Sequence, residues 1–89
     1  MEELHIVYSG KVQGVGFRST IKRHATLYHI KGYVRNLADG RVEVCAQGRA
    51  DQIHQFIKLI EHHPGRALVN NVQTSYRPAH GTYESFDLR

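Results

Sequence analysis

Three glycines fall within seven residues of the segment Gly10-Lys11-Val12-Gln13-Gly14-Val15-Gly16-Phe17-Arg18. Glycines let successive main-chain N–H groups converge on one point, and a helix start adds partial positive charge there. Such a place binds phosphate. Arg18 adds a planar cation with paired donors. As a pattern the segment is incomplete. Ser19 stands where a dinucleotide fingerprint needs its third glycine, and no Gly-Lys-Ser/Thr follows as in a Walker loop. Taken alone, a tight strand-to-helix turn explains it as well as an anion site does. A second segment is Gly32-Tyr33-Val34-Arg35-Asn36-Leu37-Ala38-Asp39-Gly40. The Asn36 amide can donate to a water and accept from it at once. Taken alone, an Asn supporting a turn is the simpler account.

These residues need a frame. Leu4 to Ser9 is β-rich and predicts a first strand, after which the glycines turn the chain. A helix is predicted from about Arg18 to Tyr28, with Ile21, Ala25 and Tyr28 on one stripe. Tyr33–Leu37 and Arg41–Gln47 predict two strands joined at Asp39-Gly40, a hairpin signal because both residues tolerate positive φ. Val42, Val44 and Ala46 should face the core, leaving Cys45 partly exposed and not a nucleophile. Ile53, Phe56, Ile57 and Ile60 give the clearest helical spacing. Asp51 complements that helix's positive end, and His62-His63-Pro64-Gly65 closes it. Val72, Thr74 and Tyr76 alternate as a further strand, and Phe86 and Leu88 end the chain with a short one. The order is β-α-β-β-α-β. It predicts an α+β, ferredoxin-like sandwich: an antiparallel sheet, two helices on one face and a short extra C-terminal strand.

The chain has 89 residues, enough for one domain over 1–89 and too few for two. A mean hydropathy of −0.47, with no run near the roughly 18 apolar residues of a membrane helix, predicts no membrane partner. Met1-Glu2-Glu3-Leu4 lacks the regions of a signal peptide, and a single cysteine suits a reducing cytosol, so a cytoplasmic location is expected. The net charge of +4 is unevenly spread: no acid lies between Glu3 and Asp39, where Lys11, Arg18, Lys22, Arg23, Lys31 and Arg35 give +6. A one-signed half suggests an anionic partner. The seven histidines, His5, His24, His29, His54, His62, His63 and His80, include no helical His-x-x-x-His pair, so no metal site is expected.

Together the two segments resemble the acylphosphatase family. Val12-Gln13-Gly14-Val15-Gly16-Phe17-Arg18 is similar to its phosphate-binding signature, and Gly32-Tyr33-Val34-Arg35-Asn36-Leu37-x-Asp39-Gly40-x-Val42-Glu43-Val44 to its second. The likeness extends through Gly48, the second amphipathic helix and Pro64-Gly65 to Phe86-x-Leu88-Arg89. Departures are small: Tyr33 where Trp is frequent, Ser19-Thr20 where bulkier residues are, and Asn71 where Asp is common.

The resemblance implies an enzyme that hydrolyses acyl phosphates to a carboxylate and inorganic phosphate. It assigns phosphate binding and catalysis to Arg18 and placement of the attacking water to Asn36. Substrate binding falls to a cradle of backbone donors over Gln13, Gly14, Val15, Gly16, Phe17 and Arg18. It implies no metal and no organic cofactor. The partner is then a small-molecule acyl phosphate, and a stand-alone monomer is expected. A carboxylate leaving group, with a conjugate-acid pKa of about 4, departs without help from a general acid. The competing reading is a non-catalytic anion- or nucleic-acid-binding module, since RNA-recognition domains share this type of fold. Their aromatic Arg/Lys-Gly-Phe/Tyr motif is absent from the sequence, so no specific nucleic acid is expected.

Overall fold

The computed structural model describes residues 1–79 and 81–89. The elements run β1 (Glu2–Lys11), α1 (Phe17–Leu27), β2 (Lys31–Asn36), β3 (Val42–Gly48), α2 (Ala50–His62), β4 (Leu68–Pro78) and β5 (Phe86–Leu88). They form one five-stranded sheet in the order β4-β1-β3-β2-β5. The ferredoxin-like order stands, with one correction. The sheet is mixed: β1, β2, β3 and β4 pair antiparallel, but β5 runs parallel to β2, with Gly32 opposite Phe86 and Val34 opposite Leu88.

The two helices pack together on one face, α1 over β2 and β5, α2 over β3. The alternation in β1 and β3 makes this possible. Leu4 and Ile6 pair with Ala46 and Val44, and all four are fully buried beneath the helices. Ile21 and Ala25 of α1 and Ile53, Phe56 and Ile60 of α2 meet them, while Ile57 and Tyr28 pack at the margin. Burying one such side chain contributes roughly 1.5–3 kcal/mol, so the expected stripes are what hold the helices down.

Cys45 departs from expectation. It points away from the helices yet is fully buried. The segment before β5 crosses this second face and covers it: Gln47 donates to the Gly81 main-chain oxygen at 3.0 Å, and the Tyr83 N–H donates back to Gln47 at 3.2 Å. Alternation marks which face a strand residue takes, and long-range covering decides whether that face is wet.

The β2–β3 hairpin turns at Leu37–Arg41. The Leu37 N–H donates to Arg41 at 2.8 Å and the Gly40 N–H to Leu37 at 3.1 Å. Gly40 takes the positive φ, +95°, and Asp39 does not. Asp39 serves through its side chain, which accepts from the Arg41 N–H at 3.1 Å and from its guanidinium at 2.8 Å. Those bonds hold the Asp39 carboxyl below its usual range. β4 is an edge strand. Val72, Thr74 and Tyr76 stand opposite Tyr8, Ile6 and Leu4, so the expected alternation is present, but every β4 residue is exposed because the helices do not reach over it.

Candidate active site

The strand-to-helix segment is shaped by Gly14 and Gly16, with φ of +74° and +76°. A left-handed backbone costs an L side chain about 1–2 kcal/mol, so glycine suits both. A Cβ at either would meet nothing within 4 Å, so the space above the loop is open. Gly16 is the residue that caps α1, and no side chain caps the helix in its place. The first intrahelical bond runs from the Thr20 N–H to Gly16 at 3.1 Å. The N–H groups of Phe17, Arg18 and Ser19 precede it and are left to outside acceptors. No acid stands in this first turn. In α2, by contrast, Asp51 occupies the first turn and Gln52 accepts from the Arg49 N–H at 3.2 Å. One helix meets its own charge need, and the other leaves it open.

A concavity of about 130 Å³ opens there, lined by Val12, Gly14, Gly16, Phe17, Arg18, Ser19, Asn36 and Leu88. Arg18 and Asn36, from different elements, thus share one hollow with the two glycines. Arg18 is half-buried, and its guanidinium donates to the main-chain oxygen of Arg89 at 2.9 Å. Asn36 ends β2, is exposed, and pairs with Val42.

The other predicted cradle residues act differently from the glycines. Phe17 is buried, its ring set edge-on to Tyr8 at 5.3 Å. Burial raises the Tyr8 hydroxyl pKa, and the Glu61 charge adds to it. Val15 packs against the core. The Gln13 side chain donates to Leu37 at 2.8 Å and to Arg41 at 2.9 Å. It turns from the hollow to fasten the loop to the hairpin that carries Asn36. Neither Val15 nor Gln13 lines the concavity.

Three participants have no counterpart in the sequence reading. Leu88 lines the hollow because β5 pairs with β2, Ser19 because it opens the next turn of α1, and the Arg89 main chain because its N–H donates to Val34 at 2.8 Å. Only Ser19 had a local signal, its place directly after Arg18. The acids nearest the hairpin are neutralised: Asp39 by Arg41, and Glu43 by Arg35 at 2.6 Å.

A wider shallow groove, lined by Ser19, Lys22, Arg23, Thr26 and Leu88, adjoins the hollow. Of the histidines, His24 donates to the main-chain oxygen of His63 at 2.7 Å, tying α1 to the end of α2. His80 lies outside the described residues.

The acylphosphatase family model matches residues 4–88. An acylphosphatase of Caldivirga maquilingensis is 40% identical over 87 residues, covering 97% of this chain and 92% of its own. One of Alkalilimnicola ehrlichii is 47% identical over 74 residues, 83% of each. The crystal structure of an acylphosphatase from Bacillus subtilis superposes with a TM-score of 0.94 at 27% identity, covering 100% of this chain and 99% of that one. Backbone, sequence and length agree along almost the whole molecule, and this chain belongs to the acylphosphatase family.

Proposed function

We propose that the concavity between residues 12–18 and the end of β2 carries out hydrolysis of an acyl phosphate to a carboxylate and inorganic phosphate. The observation that carries this is the unmet start of α1 opening into one hollow with Arg18 and Asn36. The phosphoryl oxygens take the N–H groups at the helix start and the Arg18 guanidinium. Charge developing on those oxygens meets donors already in place, and that preorganisation supplies most of the rate. The exposed Asn36 amide holds a water beside the phosphorus, turning a bimolecular encounter into a positioned one. The carboxylate leaves without a proton, and a phosphate oxygen of the substrate takes the proton of the attacking water. The site has no need of a metal or cofactor.

Residues 1–89 act as one domain, as a cytoplasmic monomer on a small-molecule substrate. The nucleic-acid alternative is disfavoured by the second sheet face. Reading bases there takes exposed aromatics, but Tyr33 is half-buried between Tyr83, at 5.9 Å, and the Arg89 guanidinium, at 4.3 Å.

The test is hydrolysis of acetyl phosphate and benzoyl phosphate by purified protein, with and without a strong chelator. Turnover of both, unchanged by chelator, is expected. An inert protein, or one silenced by chelator, overturns the proposal.

A further inference from the structure

On the sheet face away from the helices, three donor groups of different chemistry converge. Cross-strand pairing sets His5 opposite Cys45 and Glu3 opposite Arg77. Directly opposed side chains lie within contact distance of each other. The Glu3 carboxylate, the His5 imidazole and the Cys45 thiol each place a ligand atom within 4.8 Å of the other two. Three such atoms lie no farther than about 2.8 Å from a common point (4.8 Å divided by √3). Zinc bonds of 2.0–2.3 Å therefore need side-chain shifts of only about 1 Å or less. The Glu3 Oε2 to His5 Nε2 separation is 3.4 Å, close to the roughly 3.3 Å edge of a tetrahedron drawn around zinc by an oxygen and a nitrogen.

A cation already occupies the mouth of this cluster. The Arg77 guanidinium donates to Glu3 Oε2 at 2.6 Å and to His5 Nε2. Glu3 is therefore held ionised, and the His5 nitrogen that accepts presents its lone pair to the cluster. Burial by itself pushes the Glu3 carboxyl up, but the hydrogen bonds from Arg77 and Gln47 and the Arg77 charge outweigh it and hold it below its usual range. Arg77 sits on the edge strand and is about half exposed, so it can swing into solvent. The set is one carboxylate, one neutral imidazole and one thiol, which suits a borderline-soft divalent ion.

We propose that Glu3, His5 and Cys45 form a binding site for Zn²⁺, which enters by displacing the Arg77 guanidinium. The Cys45 thiol gives its proton to solvent as the ion binds, water fills the fourth position, and the ligand charges balance the metal. Because the thiol must lose that proton to bind the ion, affinity rises with pH. The site is separate from the phosphate hollow: His5 lies six residues before Lys11 along β1, roughly 20 Å at strand rise, and on the opposite face. The ion clamps β1 to β3, and its effect is on stability.

The experiment titrates reduced, metal-free protein with Co²⁺, read by the thiolate-to-cobalt charge-transfer band, then displaces Co²⁺ with Zn²⁺. A saturating band with one equivalent is expected. Cys45→Ser abolishes the band and His5→Ala weakens binding tenfold or more. Arg77→Ala removes the competing cation and tightens binding about tenfold. Saturating Zn²⁺ raises the melting temperature of the wild type and leaves acetyl phosphate hydrolysis unchanged. Absence of a thiolate band in both the wild type and Arg77→Ala overturns the site. Binding indifferent to Cys45→Ser and His5→Ala places the metal elsewhere and overturns it too. Unchanged affinity in Arg77→Ala overturns the displacement.

Discussion

Arg18 is held by the Arg89 main-chain oxygen, 2.9 Å from its guanidinium and 71 positions along the chain. The contact fixes a long side chain before any anion arrives, so less ordering remains for substrate to impose. Arg18→Ala should cost roughly 10²-fold or more in kcat/KM for acetyl phosphate, the scale for removing one oriented donor to developing charge. Competitive inhibition by inorganic phosphate should weaken in parallel. Undiminished phosphate inhibition in the variant would remove Arg18 from the binding role.

Asn36 gives the opposite signature. Asn36→Ala should lose roughly 10²-fold in kcat while inorganic phosphate inhibits it nearly as well as it does the wild type. A large rise in KM with kcat intact would mean that Asn36 holds substrate and not water.

Gln13 is predicted to matter to stability first and to turnover second. Gln13→Ala removes both bonds to the hairpin and leaves the Leu37 and Arg41 oxygens without that donor. Urea unfolding should show a loss of about 1–3 kcal/mol, and kcat/KM should fall less than in the Arg18 or Asn36 variants. Wild-type stability in Gln13→Ala would show that the clasp carries no weight.

His29 sits at φ +58° just past the end of α1. The Ile30 N–H donates to Ala25 at 2.9 Å and the His29 N–H to Thr26 at 3.3 Å, a Schellman closure in which glycine is the favoured residue. The imidazole thus stands in a conformation that costs an L residue about 1–2 kcal/mol, partly offset by the entropy glycine loses on folding. His29→Gly should raise stability by about 0.5–1 kcal/mol with activity unchanged. A destabilised variant would show that the His29 side chain contributes more than its backbone costs.

Acid should weaken the fold through Glu3. Its folded carboxyl lies below the unfolded value of 4.5, so its contribution is complete above that value and is lost as pH falls through the folded one. Glu3→Gln should be less stable than wild type by about 1 kcal/mol or more near pH 7. The gap should narrow toward about pH 3, as measured by urea unfolding at both. A gap independent of pH would assign the loss to packing.

The sequence carried the parts of this molecule that depend on local chemistry. The Ile53, Phe56 and Ile60 stripe, the β3 alternation and the glycines of the cradle all sit where spacing placed them. What it hid depends on contacts between distant segments. Cys45 reads as half-exposed until residues 81–85 cover it. Gln13 reads only as a main-chain donor of the cradle, and the bonds its side chain makes to the hairpin have no local signal. The direction of β5, and with it the presence of Leu88 in the hollow, comes from pairing with β2 across some fifty residues.

The parallel pairing of β5 also bears on synthesis. A ribosome makes the cradle, Arg18 and Asn36 more than fifty residues before Leu88 and Arg89. While those residues are being added, the nascent chain carries both signature segments without the oxygen that orients its arginine. Its phosphate site takes its final form only once residues 86–89 clear the exit tunnel and join the sheet.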